Sequence, residues 1–460
     1  MALPRSTPSA QGVAASGIAA FVDVLEQHPG IDPHSLMIVR HGSVVAEGWW
    51  APYSPDRLHL LYSLSKTFLS TAVGFAVQEG LLSLDDAVAD HFPEFRDELP
   101  EASRRILVRH ALAMASGHDA EMAQIAVQTD PREPVRGFLL HAPEHEPGTW
   151  FAYNQPANHT VAAILQRAAG MDLVEYLRPR LLDPLDVPPV SWQEYPPGRS
   201  LGFSGLHATT ETIAKLGQLH LADGVWEGRQ LLPEGWAAEV RTSRVPTDRE
   251  VNPDWAQGYG FQVWMARHGY RGDGAYGQFM MILPERDAVV AITSAEEDMQ
   301  AVVDAAWTHL LPAFGDEGEG DAADAALAER LRGLALPAST GDAQPSGPVP
   351  TAWTGPELTA ERTADGTVVL TDRAGLRATV PVGAAGWTVV EGDAPSPTVA
   401  VSGGWHGDAA LIDVVFLESP HRVRVDLHAD GTLRARWSTT PLDFVVGGTV
   451  LGQGAPRPLG

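Results

Sequence analysis

Residues 64 to 79, LSKTFLSTAVGFAVQE, read as a helix that is apolar on nearly every face and stops at Gly80 in a C′ position. Such a helix belongs inside a domain, so other elements have to enclose it. Ser63 stands at its start, and Lys66 follows three positions later. Only two of the chain's 32 Lys and Arg residues are lysines, Lys66 and Lys215. A lysine in that position of an enclosed helix needs a reason that arginine could not serve.

The stretch 13 to 27 has helical apolar spacing, and Ser35–Arg40, the turn His41-Gly42 and Ser43–Ala46 read as a β-hairpin. The middle, about 84 to 250, carries helical patterns between Pro- and Gly-rich loops. From 258 the texture changes to strand-like runs, GYGFQVWMA, AYGQFMMIL and AVVAITS, the last two joined by a turn at 284–287. A helix over about 298–312 follows. Strands from both ends of this region with helices between them imply one mixed sheet with an inserted helical part. Residues 315–350 are acidic and Ala-rich, then Pro- and Gly-rich, which predicts a short helix and an extended linker. Beyond them the apolar period is two, with hairpin signals at Asp365-Gly366 and Asp430-Gly431 and short strands to about 450. The expected division is therefore 1–314, a linker at 315–350, and an all-β domain at 351–460.

With 460 residues the chain exceeds one ordinary core, and no apolar run reaches membrane-spanning length. Its N-terminal stretch lacks the uninterrupted apolar core of a signal peptide, so the expected location is cytoplasmic. The absence of cysteine removes disulfides, thiolate nucleophiles and thiolate metal sites. A net charge of −26 disfavours nucleic acid and anionic membrane as partners.

Ser63 and Lys66 share a helix face. Burial lowers the pKa of an ammonium and makes a lysine a usable base, which a guanidinium cannot become. The helix start also supplies N–H groups suited to an oxyanion. The plainer alternative is an N-cap serine with an exposed lysine, and the pair alone does not exclude it. Lys215 itself reads as a helical lysine near the surface.

Further segments carry a resemblance: HALAMASGHD at 110–119, HEPGTWFAYNQPANHTVAAILQRAAG at 145–170, GLHATTETIAKLGQLHLADGVWEGRQLLPEGW at 205–236 and YRGDGAYGQFMMILPERDAVVAITS at 270–294. With Ser-x-x-Lys they resemble the serine β-lactamase-like hydrolases over about 17–312. That superfamily includes class C β-lactamases, D-Ala-D-Ala carboxypeptidases, carboxylesterases and 6-aminohexanoate oligomer hydrolases, and the last two are the nearest branch. The resemblance implies an α/β, β-lactamase/transpeptidase-like mixed antiparallel sheet flanked by helices, with a helical subdomain, followed here by the smaller all-β domain. It implies Ser63 as nucleophile, Lys66 as base partner, Tyr153 as the phenol of the second motif, and the Ser63 and Ala275 N–H groups as the oxyanion hole. A cation such as Lys66⁺ beside Tyr153 would favour phenolate, and a phenol there can pass a proton to the leaving group.

Two departures stand out. Where the family has Tyr-x-Asn, this chain has Tyr153-Asn154-Gln155, placing Gln155 in the substrate-orienting position. Where β-lactamases have Lys-Thr-Gly, it has Gly272-Asp273-Gly274. The carboxylate-binding cation is missing, Asp273 would repel a carboxylate, and Arg271 or Arg267 are the candidates to replace the charge. Gly274 allows close backbone approach.

Other motifs fail their context. The glycines at 272, 274 and 277 match a dinucleotide fingerprint but precede a strand, and Pro143 breaks the helix that His141 and His145 would need as metal ligands. No Gly-x-Ser-x-Gly elbow occurs. No metal and no cofactor are expected. His118, Trp49, Trp50 and Tyr62 are more simply core or rim residues. The expected function is hydrolysis of small esters or amides through an acyl-enzyme, esters foremost. Acyl transfer to an amine or alcohol, and cleavage of aminohexanoate-type amides, use the same residues. The intact Ser63, Lys66 and Tyr153 set argues against a non-catalytic binding role, and a homo-oligomer is left open.

Overall fold

Helix α1 (Ala15–Gln27) and the hairpin of β1 (Ile31–Arg40) and β2 (Ser43–Trp49) open the chain in the computed structural model, which describes residues 2–392, 397–442 and 450–452. The hairpin turns on His41 and Gly42, both at positive φ, as a two-residue turn between twisted strands requires. Then come α2 (Ser65–Gln78), α3 (Gln155–Ala169) and α4 (Thr210–Leu221), with shorter helical pieces between them. The chain returns to the sheet through β3 (Trp264–Met265), β4 (Tyr270–Gly274), β5 (Gln278–Leu283) and β6 (Ala288–Glu296), and α5 (Met299–Ala305) follows. The six-stranded sheet runs β2-β1-β6-β5-β4-β3, antiparallel throughout, with the first and last strands of this region paired at its centre.

Because side chains alternate across a strand, the sheet feeds two cores. Met37, Val39, Met280, Ile282, Val289 and Ala291 face α2 and the helical insertion. Leu36, Ile38, Phe279, Met281, Val290 and Ile292 face α1 and α5. Both faces are covered, which is why these strands read as continuous apolar runs. Helix α2 is enclosed as its composition demands: every residue from Ser65 to Ala76 is buried. No helix among the described residues is long and apolar enough to cross a membrane.

After α6 (Asp321–Arg332), whose Leu327 and Leu331 are buried in the second core, the chain enters two antiparallel sheets. Ala352–Thr354, Leu358–Arg362, Val368–Asp372 and Arg377–Val380 form one; Thr388–Val390, Val399–His406, Ala409–Phe416, Arg422–Leu427 and Leu433–Trp437 form the other. Trp353, Leu370, Val401, Ile412 and Val425 fill the core shared by these strands. Gly366 and Gly431 take the positive φ of the hairpin turns. This β module is not a free appendage. Ala400, Val415 and Leu417 share the second core with Trp50, Leu334 and Leu336, and Arg422 bridges to Asp32 at 3.2 Å. The expected linker is also held, since Asp342 pairs with Trp405 in both directions. Strand continuation over 443–449 lies outside the described residues.

Two expectations need correction. The run 258–266 forms strand only at Trp264–Met265, because Gly258 and Gln262 take positive φ and Gly260 lies so close to Val240 that a Cβ would sit 2.1 Å from its carbonyl oxygen. Lys215 is buried, not superficial: its ammonium donates to the Asp186 carbonyl at 2.9 Å.

Strand β4 comes against the start of α2 at two glycines. A Cβ on Gly274 would lie 2.0 Å from the Leu61 carbonyl oxygen, and one on Gly272 2.5 Å from Thr67 Oγ1. Neither neighbour is a free side-chain end in open space, so the strand itself would have to move. Gly274→Ala should lower stability by about 1–3 kcal/mol in chemical denaturation, whereas Gly30→Ala, with nothing nearer than 3.5 Å, should stay within about 0.5 kcal/mol.

Candidate active site

Ser63 sits in a tight 3-10 turn, Tyr62–Leu64, that runs directly into α2. The turn is fixed from several sides. Leu61 N–H donates to the Leu206 carbonyl at 2.8 Å, Leu206 N–H donates to Ser65 Oγ at 3.0 Å, and Thr67 Oγ1 donates to the Gln262 carbonyl at 3.2 Å. Tyr62 takes φ 47°, a left-handed conformation that a bulky residue adopts only when its surroundings demand it. Ser63 itself stays half-buried at the surface of this buried assembly.

Lys66 is 1% exposed, and its Nζ lies 2.9 Å from Ser63 Oγ and 2.8 Å from the Phe203 carbonyl oxygen. Burial pushes its pKa from 10.5 down to about 7, against the opposing charges of Glu121 and Asp273. The amine therefore divides between its charged and neutral forms near neutral pH. The exposed-lysine alternative does not describe this residue.

Tyr153 precedes α3, its ring centroid 4.7 Å from Lys66 Nζ and stacked on Trp264 at 5.5 Å. The Ser63 side chain lies near enough to its hydroxyl to oppose, in part, the effect of burial on it. Of the two readings of Tyr153, the phenol is the one its surroundings favour: burial, with Asp273 nearby, raises its pKa and outweighs the Lys66 cation. It can donate a proton but is no resting base.

The neighbouring positions divide. Gln155 begins α3; its N–H donates to the Glu121 carboxylate at 3.1 Å, and its side-chain oxygen is buried with no partner among the described residues. Asn154 is spent on the core, accepting from Met122 N–H at 3.3 Å. Gly274 and Ala275 stand at the end of β4, and Gln278 Nε2 donates to the carbonyls of Ala275 and Tyr276, both at 3.0 Å, holding the turn. Asp273 is not a free carboxylate. It pairs at 3.1 Å with Arg271, which is 1% exposed and stacks over Trp255 at 4.0 Å. Arg271 is therefore no replacement for the missing cation, and neither is Arg267, which is bound to Asp254 and Asp304. His118 is buried, donating or accepting between Ser116 and the His141 carbonyl, and Trp50 is in the second core.

Two cavities adjoin these residues. One of about 450 Å³ is lined by Glu121, Ala126, Val127, Pro156, Leu201 and Phe203, and shares Glu121 and Phe203 with the surroundings of Lys66. Another of about 240 Å³ is lined by Tyr153 itself with Asp119, Phe151, Arg249 and Glu250. Sequence reasoning singled out neither Glu121 nor Phe203: a loop carboxylate and a backbone carbonyl carry no motif. No group of three or more His, Cys, Asp or Glu among the described residues could hold a metal.

The profile of the Beta-lactamase family matches residues 18–314. A 6-aminohexanoate-dimer hydrolase from Paenarthrobacter ureafaciens is 24% identical over 315 residues, 64% of this chain and 80% of that protein. Among solved structures, EstCE1, described as a hydrolase with promiscuous acyltransferase activity, superposes with a TM-score of 0.52 at 18% identity, over 64% of this chain and 99% of its own. SurE, solved with D-Leu, gives a TM-score of 0.52 at 20% identity but spans 92% of this chain and 99% of its own.

With only two lysines, side-chain ¹³C labelling of Lys offers a direct reading of the shift. The resonance lost in Lys66→Arg should titrate with a midpoint near pH 7, ammonium below and amine above. A midpoint near 10 would contradict the burial argument.

Proposed function

The chain belongs to the beta-lactamase family, and on that premise we propose that it hydrolyses small esters, and more slowly small amides, through an acyl-enzyme on Ser63. The observation that carries the reading is the contact of 2.9 Å between the Ser63 hydroxyl and a wholly buried amine with a pKa of about 7.

Ser63 Oγ attacks the carbonyl carbon as its proton passes to neutral Lys66. The N–H groups of Ser63 and Ala275 receive the oxyanion, and β4 is positioned for this by Gly274. The phenol of Tyr153, beside Ser63 and with its ring over the Lys66 amine, gives its proton to the departing alkoxide or amine and recovers one from the Lys66 ammonium. Water then attacks the acyl carbonyl, loses its proton to Lys66, and Ser63 leaves as the hydroxyl. The larger cavity, lined by Ala126, Val127, Pro156, Leu201 and Phe203, takes the acyl chain. Esters come first because an alkoxide needs less help to leave than an amine. The paired Asp273 and Arg271 supply no free cation for a carboxylate, so β-lactams and carboxypeptidase substrates are poor fits.

A fluorophosphonate should add once, to Ser63, as located by mass spectrometry of the digested protein. With a p-nitrophenyl ester, kcat/KM should rise through pH 7 and level off above it, because the base is the deprotonated amine. Lys66→Arg should lower kcat by about a thousandfold or more, and Tyr153→Phe by about 10²–10⁴-fold, without loss of the folded state. Full activity in Lys66→Arg would rule the mechanism out.

A further inference from the structure

Two bulky residues next to the site hold left-handed backbone conformations: Tyr62 at φ 47° immediately before Ser63, and Tyr276 at φ 65° immediately after Ala275. Each such conformation is unfavourable for a bulky residue and persists only where surrounding contacts impose it. Both tyrosines reach out of the catalytic region into the C-terminal β module. Tyr62 Oη lies 2.6 Å from His421 Nε2, and Leu442 N–H donates to the same oxygen at 3.3 Å. Tyr276 donates its hydroxyl proton to the Thr440 carbonyl. The three rings of Tyr62, Tyr276 and His421 meet edge to face, with centroids 5.7–5.8 Å apart.

The direction of the central bond follows from its surroundings. His421 Nδ1 lies 3.1 Å from the Thr439 carbonyl oxygen, which can only accept, so Nδ1 carries the proton and Nε2 is bare. Tyr62 O–H therefore donates to Nε2 and its oxygen accepts from Leu442 N–H. Burial keeps His421 neutral, so this arrangement persists through the working pH range. The backbone on either side of the bond is tied as well: Leu60 N–H donates to the Glu418 carbonyl at 2.8 Å.

We propose that His421 of the β module is a positioning residue for the hydrolase, clamping Tyr62 and, through the shared ring cluster, Tyr276, so that the Ser63 and Ala275 N–H groups converge on one oxyanion. The inference rests on the hydrolase reading above and extends it: the catalytic region alone does not complete its own oxyanion hole. The module contributes no reacting atom. It supplies contacts that hold two strained peptides in register, and a misplacement of such donors by a fraction of an ångström weakens transition-state binding without weakening substrate binding.

The test uses full-length protein with Tyr62→Phe, His421→Ala, the double variant and His421→Gln. Tyr62→Phe and His421→Ala should each lower kcat for a p-nitrophenyl ester about ten- to hundredfold with little change in KM. The double variant should be no worse than the poorer single one, because both remove the same hydrogen bond. His421→Gln, whose amide oxygen can accept from Tyr62, should recover most of the loss. If His421→Ala does not fold, Tyr62→Phe, which keeps the ring and deletes only the hydroxyl, still decides. Unchanged kcat in Tyr62→Phe, or losses that appear in KM or multiply in the double variant, would overturn the clamp while fluorophosphonate labelling of wild-type Ser63 upheld the hydrolase. A wild type that the probe does not label would remove the hydrolase reading and the clamp with it.

Discussion

An amine taken almost wholly out of water beside a serine hydroxyl sets the terms for the rest of this molecule. Depressing the Lys66 pKa from 10.5 to about 7 corresponds to a cost of about 5 kcal/mol for holding the charged form in place, a large share of a typical domain's stability. Its sign is opposite to that of a salt-bridged lysine. Between pH 7 and 10.5 the unfolded chain binds more protons at this residue than the native one, so its penalty is greatest below pH 7 and fades as pH rises. A fold that accepts such a penalty must offset it with packing. Helix α2 is enclosed by the sheet on one side and by the helical insertion on the other.

The same packing explains the unusual third motif. Gly272 and Gly274 are needed for contact, since each faces the Ser63 turn at a distance that excludes a Cβ. Asp273 between them, in the segment that resembles the family's carboxylate-binding motif, is neutralised by Arg271, itself held by the Asp254 carbonyl at 2.9 Å and by Trp255. A buried pair of this kind is costly to break and adds little net attraction for an anion. The strand's glycines allow the close approach while the charge of Asp273 is turned inward to Arg271. That separates the acyl-transfer chemistry, which needs the backbone approach, from recognition of a carboxylate, which needs a free cation.

What could be read from the sequence follows the range of the interactions involved. The enclosed helix, the hairpin at His41-Gly42, the strands flanking Pro284–Asp287 and the period-two module are local patterns, and they hold to within a few residues. Ser63 and Lys66 are one turn apart, so their contact was legible too; Tyr153 was legible only through resemblance. The sequence left the protonation state of Tyr153 undecided because a neighbouring cation is visible in a motif, whereas the burial that outweighs it is a property of the whole fold. Lys215 was misplaced for the same reason. The Phe203 carbonyl that receives the Lys66 ammonium lies 137 positions away, and His421 lies 359 positions from Tyr62. No periodicity records such pairings.

The position of the β module follows from this long-range character. A tyrosine forced into a left-handed conformation has to be held by contacts from outside its own turn, because the turn gains nothing locally by adopting it. Here they come from His421, Thr440 and Leu442, while Arg422, one residue beyond His421, is anchored by Asp413 within the module and by Asp32 across the boundary. The module is thus fastened to the sheet that carries the site at the same place where it touches the site. Loosening that junction would act first on the two strained peptides, since they have the least local reason to stay as they are, and only afterwards on Lys66, whose environment is built within the catalytic region from α2, Tyr153, Phe203, Glu121 and Asp273.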